Sequence, residues 1–184
     1  KKEYKEFYMP KNKPVSFTVR CMNLYCGFVD TVIECGGWEY KQSIGLLYGI
    51  AFTIKMRRKR EITRFDGYFD YVVPPLEGFW WQDGVAGIDY AHKENFEWIS
   101  VIRLPDFRYK VDFDWAIEEA TKKKKTDFFK GEFLTYDEGL CVQCMHIGSY
   151  DDEPATVALM HEYMEQQGYV LDITEQRLHH GKFI

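Results

Sequence analysis

Two adjacent prolines constrain this chain more than any other feature. They sit in the stretch Tyr71-Val72-Val73-Pro74-Pro75-Leu76-Glu77-Gly78-Phe79-Trp80-Trp81. Proline has no N–H to give a sheet ladder, so one β-rich run ends here and another begins. The second run packs a carboxylate, a glycine and three aromatics into six residues. Side chains alternate across a strand. Leu76, Gly78 and Trp80 therefore face one way, and Glu77, Phe79 and Trp81 the other, with one indole on each face. A carboxylate beside two rings suits a flat or cationic small molecule. The competing reading is that the rings are core and Glu77 points to water.

Around this stretch the pattern alternates between strand and helix. Val15 to Val19 is β-branched and alternating, and continues as a strand through Asn23 to Val29. Tyr40 to Met56 carries Ile44, Leu47, Tyr48, Ala51 and Ile54 at helical spacing. Tyr68 to Val73, Leu76 to Trp81 and Phe96 to Arg103 read as strands, with a loop from Val85 to Asn95. Val111 to Lys125 is a second helix. Phe133 to Tyr136 and Leu140 to Ile147 are strands about an Asp137-Glu138-Gly139 turn. A third helix runs from Pro154 to Gln167, with acids at its start and Gly168 as its left-handed cap. Thr174 to Ile184 reads as the last strand, and the polar Lys1 to Pro14 as an arm or a short surface helix. This order predicts an α+β fold with a mainly antiparallel sheet and helices on one face.

Composition bounds the function. The length fits a single domain or two small fused modules. Aromatic residues make up 17% of the chain, so a core or a pocket must absorb many rings. The net charge of −5 argues against a general nucleic-acid binder. The runs Arg57-Arg58-Lys59-Arg60 and Lys122 to Lys125 close helices, where cations meet the negative end of the dipole. The five cysteines, Cys21, Cys26, Cys35, Cys141 and Cys144, form no secreted disulfide framework. Cys141 and Cys144 are expected within one strand, where the pair lacks the further ligands of a zinc site. Neither a signal core nor a bilayer-length apolar window is seen, so a cytoplasmic protein without metal or cofactor is expected.

The chain also lacks a Gly-rich phosphate loop, a nucleophile elbow and an HExxH stretch. The candidates left are carboxylates in aromatic company, Glu77, Glu97 and Glu138, each of which could equally cap a backbone group or face water. Such a group can have a raised pKa and work as acid or base. His146 is a further candidate, with a structural hydrogen-bonding role as its rival.

Four stretches together resemble the GyrI-like small-molecule-binding proteins. They are Tyr48 to Lys55 (YGIAFTIK), Gly67 to Trp81 (GYFDYVVPPLEGFWW), Trp98 to Phe107 (WISVIRLPDF) and Glu138 to Thr156 (EGLCVQCMHIGSYDDEPAT). The resemblance implies two fused strand-helix-strand-strand modules with pseudo-twofold symmetry and a ligand groove between them. Here the modules would be 1–95, with the N-terminal arm, and 96–184, within one domain spanning 1–184. It also implies binding of flat apolar or cationic xenobiotics. The standalone branch it is most similar to contains cyclopropanoid cyclopropyl hydrolases, which open the cyclopropane of DNA-alkylating natural products. On that footing the ligand-binding candidates are Tyr48, Phe79, Trp80, Trp81, Trp98 and Tyr150, and Glu77 is the candidate water-orienting base. Two positions depart from the branch: Ser149 replaces a proline, and Gly181 stands where the family has a pocket glutamate. The rival is a non-catalytic effector-binding or drug-sequestering module linked to transcriptional regulation. No helix-turn-helix precedes Tyr40, which disfavours a one-chain regulator.

Overall fold

A computed structural model of the protein describes residues 5–19, 22–31, 38–57, 71–85, 89–105, 110–125, 127–128, 131–171 and 179–182. In chain order the elements are α1 (Lys5–Tyr8), β1 (Val15–Val19), β2 (Met22–Thr31), α2 (Trp38–Arg57), β3 (Glu77–Trp81), β4 (Glu97–Arg103), α3 (Lys110–Lys124), β5 (Gly131–Tyr136), β6 (Gly139–Gln143), α4 (Glu153–Gln167) and β7 (His179–Lys182). The fold is α+β, and the described strand neighbours are antiparallel.

The three long helices lie where apolar spacing predicts them. The strand expected over Tyr68 to Val73 does not form in its described part. Residues 71–76 belong to no strand, and the ladder starts only at Glu77, just past the two prolines that offer no donors. The strand expected to reach Ile147 stops at Gln143, so Cys144 lies outside it. The N-terminal arm makes one helical turn, and its Tyr8 is buried rather than laid on the surface. Residues 68–70, 174–178 and 183–184 of the expected strands lie outside the described residues.

The main sheet runs β5-β2-β4-β3-β7, interleaving strands from both halves of the chain. β1 and β6 form a separate two-stranded ladder. The two ladders are the same chain segments before and after a break. Val19 pairs with Gly139, and Met22 pairs with Tyr136. Gly139 has φ 65°, the left-handed conformation that lets the chain turn at this break.

Each face of the main sheet has its own core. On one face Leu47, Ile50, Ala51 and Ile54 of α2 meet Phe113, Ala116, Ile117 and Ala120 of α3 over Leu76, Ile102 and Leu104. Arg57 joins the two helices, with its guanidinium 3.3 Å from Asp112 and 4.4 Å from the centre of the Trp115 ring. On the other face Phe79 and Val101 pack with Val19, Phe17, Cys141 and Phe7. α1 and the β1–β6 ladder thus cover the side that α2 and α3 do not.

α4 contributes half-buried rather than buried side chains, and reaches β1 through Tyr163, 3.3 Å from Ser16. Ser16 alternates with Phe17, so α4 lies on the side of this ladder away from the second core. Gly168, at φ 72°, caps it by donating to the Glu165 carbonyl. In α3, Lys122 and Lys123 face Glu118 and Glu119 one turn back and stay in water. No described helix is long and apolar enough to cross a membrane.

Candidate functional site

The alternation read from the sequence has a defined outcome. Leu76 joins the helix-side core and Phe79 the opposite one. Gly78 and Trp80 therefore share the helix-side face, where they pair with Ser100 and Trp98 of β4. On the outer side of β3, Gly181 of β7 pairs with Gly78. The row Gly181–Gly78–Ser100 carries almost no side-chain bulk. The Trp80 indole uses that room. A Cβ built on Gly78 would meet its Nε1 at 2.9 Å and its Cε2 at 3.2 Å. Glycine here is what lets a large ring lie along the sheet.

Around Trp80 the rings form a connected shelf. Trp98 lies at 6.3 Å between centroids, and Phe96 at 6.5 Å in an edge arrangement. Phe96 in turn meets Tyr90 at 6.5 Å. These separations fall within the range of favourable aromatic pairs. Trp98 is buried, whereas Trp80 and Phe96 are half-buried, so the shelf has one closed and one accessible end.

Tyr90 brings a polar group to the Phe96 end, and the Glu153 carboxylate is near enough to act on it electrostatically. The Tyr90 hydroxyl is shielded from solvent and has no hydrogen-bond partner among the described residues. Burial pushes its phenol up to about 12, and the nearby Glu153 carboxylate adds to the effect. Glu153 opens α4. Its own carboxyl is raised by burial, against an opposing pull from His146. A carboxylic acid and a phenol that sense each other beside a shelf of rings can share proton-transfer work.

Both groups are held by folded loops. The turn carrying Tyr90 is tied to Gln82, the residue that follows β3. The loop leading to Glu153 is tied by His146. Its Nε2 donates to the Ser149 carbonyl at 2.8 Å, and its Nδ1 accepts from the Thr156 hydroxyl at 2.8 Å. Ser149 donates to the Asp152 carboxylate at 2.8 Å. The predicted structural role of His146 accounts for both ring nitrogens, and it fixes where α4 starts.

The residues named from the sequence do not all gather here. Trp80 and Trp98 do. Phe79 is fully buried on the opposite face, 4.8 Å from Tyr136, which makes it core. Trp81 shares that opposite face, paired with Glu97. Tyr48 borders the helix-side core and stacks on Phe52 at 6.2 Å, and Tyr150 is largely exposed ahead of α4. Glu77 is completely buried, and its Oε1 accepts a hydrogen bond from the Tyr8 hydroxyl at 2.5 Å. It faces away from the Trp80–Trp98 shelf. Burial raises the Glu97 carboxyl, and Asp83 beside it adds to that.

Tyr90, Phe96 and Glu153 complete the shelf without having been singled out for it. Glu153 reads from sequence as a helix-dipole acid, and Tyr90 sits in a loop without periodicity. Among the described residues, no group of three or more His, Cys, Asp or Glu side chains is placed to hold a metal ion. Cys141 and Cys144 are free thiols, and burial raises the Cys144 thiol.

Comparison with known proteins decides kinship. A hydrolase from Listeria innocua has a solved structure that matches with a TM-score of 0.82 at 41% sequence identity, over 97% of this chain and 89% of that one. The chain belongs to the family of that protein. An uncharacterized conserved protein from the same organism matches with a TM-score of 0.83 at 42% identity, over 97% of this chain and 86% of its own. A further Listeria innocua hydrolase matches with a TM-score of 0.82 at 42% identity, over 97% and 85%. No protein-family model matches the sequence. No curated protein matches it significantly either.

Proposed function

We propose that the protein is a hydrolase of flat, apolar small molecules that stack on the Trp80–Trp98–Phe96 shelf. The observation that carries this reading is the shielded Tyr90 hydroxyl at the Phe96 end of the ring shelf, within electrostatic reach of Glu153, in a family with members described as hydrolases. The substrate class proposed is an activated cyclopropane of the kind found in DNA-alkylating natural products, as the resemblance to GyrI-like proteins implies.

The chemistry follows from the groups present. Glu153 in its ionised form takes a proton from water, and the water oxygen bonds to a ring carbon. The strained C–C bond breaks, and its electron pair moves into the conjugated carbonyl. The carbonyl oxygen gains negative charge and receives a hydrogen bond from Tyr90, whose phenol stays protonated far above neutrality. The shelf rings orient the ligand and reduce the water near the reacting carbon. In this reading Glu77 serves the fold, and Glu153 takes the part of the base.

The test is turnover of a spirocyclopropyl dienone, followed by absorbance as the dienone becomes a phenol. The parent protein should accelerate opening, and Glu153→Gln should lower kcat by about 10²-fold or more. Unchanged kcat in Glu153→Gln would remove Glu153 from the mechanism. One feature favours a second reading, a sequestering module without turnover. Gly181 stands on the shelf face beside Gly78, where the resembling family carries its pocket glutamate. Tight binding of the dienone with no acceleration by the parent protein would select that reading.

A further inference from the structure

We propose that Gln82 is a positioning residue for this site: it clamps the turn from Asp89 to His92 so that Tyr90 stays against Phe96 at the end of the shelf. The proposal rests on the catalytic reading above. It is carried by the hydrogen bonding of one buried amide.

Gln82 is only 4% exposed. Its Nε2 donates to the Asp89 carbonyl and to the His92 carbonyl, each at 2.9 Å, and its Oε1 accepts from the Asp89 N–H at 2.6 Å. Both ends of the amide are spent on a single turn, bracketing Tyr90. The turn has three other ties among the described residues: His92 N–H donates to the Asp89 carbonyl at 3.4 Å, Ala91 N–H donates to Asp89 Oδ1 at 2.9 Å, and His92 Nδ1 lies 2.7 Å from Asp89 Oδ2. The two made by the Asp89 carboxylate are exposed, so water can replace them, whereas Gln82 itself is buried.

The chemistry at position 82 is narrow. Leucine would fill the space and make none of the three bonds. Glutamate would present oxygen to two carbonyl oxygens. Asparagine would fall one methylene short. Only a primary amide of this length meets two acceptors and one donor together. Without Gln82 the turn keeps its own backbone bond and the one from Asn95 N–H to the His92 carbonyl, and the Tyr90 ring is steadied by its edge contact with Phe96. A hydrogen-bond donor displaced by about 1 Å costs up to about 10²-fold in rate.

The experiment uses the full chain with Gln82→Leu and Gln82→Glu. Tyr90 is titrated by tyrosinate absorbance, as the difference between each protein and the same protein carrying Tyr90→Phe. In the parent that difference should titrate at about 12, well above an exposed tyrosine. In both variants it should fall toward the ordinary value of about 10, because the ring gains water. With the spirocyclopropyl dienone as substrate, kcat should drop at least about tenfold while KM stays within about threefold. Hydrogen exchange of the Asp89 amide in the parent, slow if Oε1 holds it, gives a reading that needs no variant. An unshifted Tyr90 titration in a folded variant, or fast exchange at Asp89 in the parent, overturns the proposal. Failure of the catalytic reading shows differently: the parent does not turn over the dienone, while the titration and exchange behave as expected.

Discussion

Gly78→Ala isolates the shelf from the rest of the fold. The added methyl would lie 2.9, 3.2 and 3.4 Å from three atoms of the Trp80 indole. Relief requires the ring to lift by roughly 0.5–1 Å, which forfeits a quarter to a half of each contact it makes. Among the described residues Trp80 has two ring partners, Trp98 and Phe96, each worth about 0.5–1.5 kcal/mol. The fold should therefore lose about 0.25–1.5 kcal/mol. Alanine restrains the unfolded chain and returns about 0.4–1 kcal/mol of that. Net stability should change by less than about 1 kcal/mol in urea denaturation. Binding should change more. A tilted indole no longer offers a flat face, and losing about 1.4 kcal/mol of stacking weakens Kd about tenfold. Tryptophan fluorescence titration with acridine, a flat neutral ring system, measures this. If Gly78→Ala costs more than about 3 kcal/mol and leaves acridine affinity intact, Trp80 is a core residue and the shelf is wrongly placed.

Three other perturbations test separate parts of the structure. Trp98→Ala should destabilise the fold by about 3–5 kcal/mol, because the indole is 3% exposed; Trp80→Ala should cost less stability but about 1–3 kcal/mol of acridine binding. Tyr8→Phe removes a donor to a fully buried carboxylate and should cost about 1–3 kcal/mol in urea melts with kcat unchanged; a kcat loss without a stability loss would return Glu77 to the chemistry. For Glu153 the folded-state pKa lies above the unfolded value, so the native state holds its proton longer. Stability then falls as pH rises from about 4.5 through the raised folded value, and kcat rises over the same window. Glu153→Gln should flatten both profiles, and a parent whose stability rises through that window because of Glu153 would contradict the assignment.

Periodic features were legible in the sequence, and features made by single side chains were not. The helix over Trp38–Arg57 follows from a stripe whose members Leu47, Ala51 and Ile54 are all buried. Alternation correctly separates Trp80 from Trp81, but it holds for either face. Which indole meets the helix side depends on where α2 and α3 pack, and that is a long-range fact. Glu77 shows the same gap. Its hydrogen-bond partner is Tyr8, 69 residues upstream, and no local pattern connects them. Tyr90 is placed by amide bonds from Gln82 to a non-repetitive turn, and no periodic pattern in the sequence registers a side chain closing on a loop backbone. Glu153 was hidden because a first-turn acid already has a sufficient explanation in the helix dipole.

The pairing of β1 with β6 has a consequence for how the polypeptide is made. Val15 finds its ladder partner only at Gln143, and the Lys11 carbonyl receives its hydrogen bond from Met145. A ribosome adding about 5–20 residues per second needs on the order of ten seconds to bring those partners out. Throughout that interval Phe17 and Val19, which belong to the second core, stay attached to a chain that cannot yet cover them. β1 is therefore made well before it can settle, and until β6 emerges the nascent chain is exposed to chaperones and to its own copies.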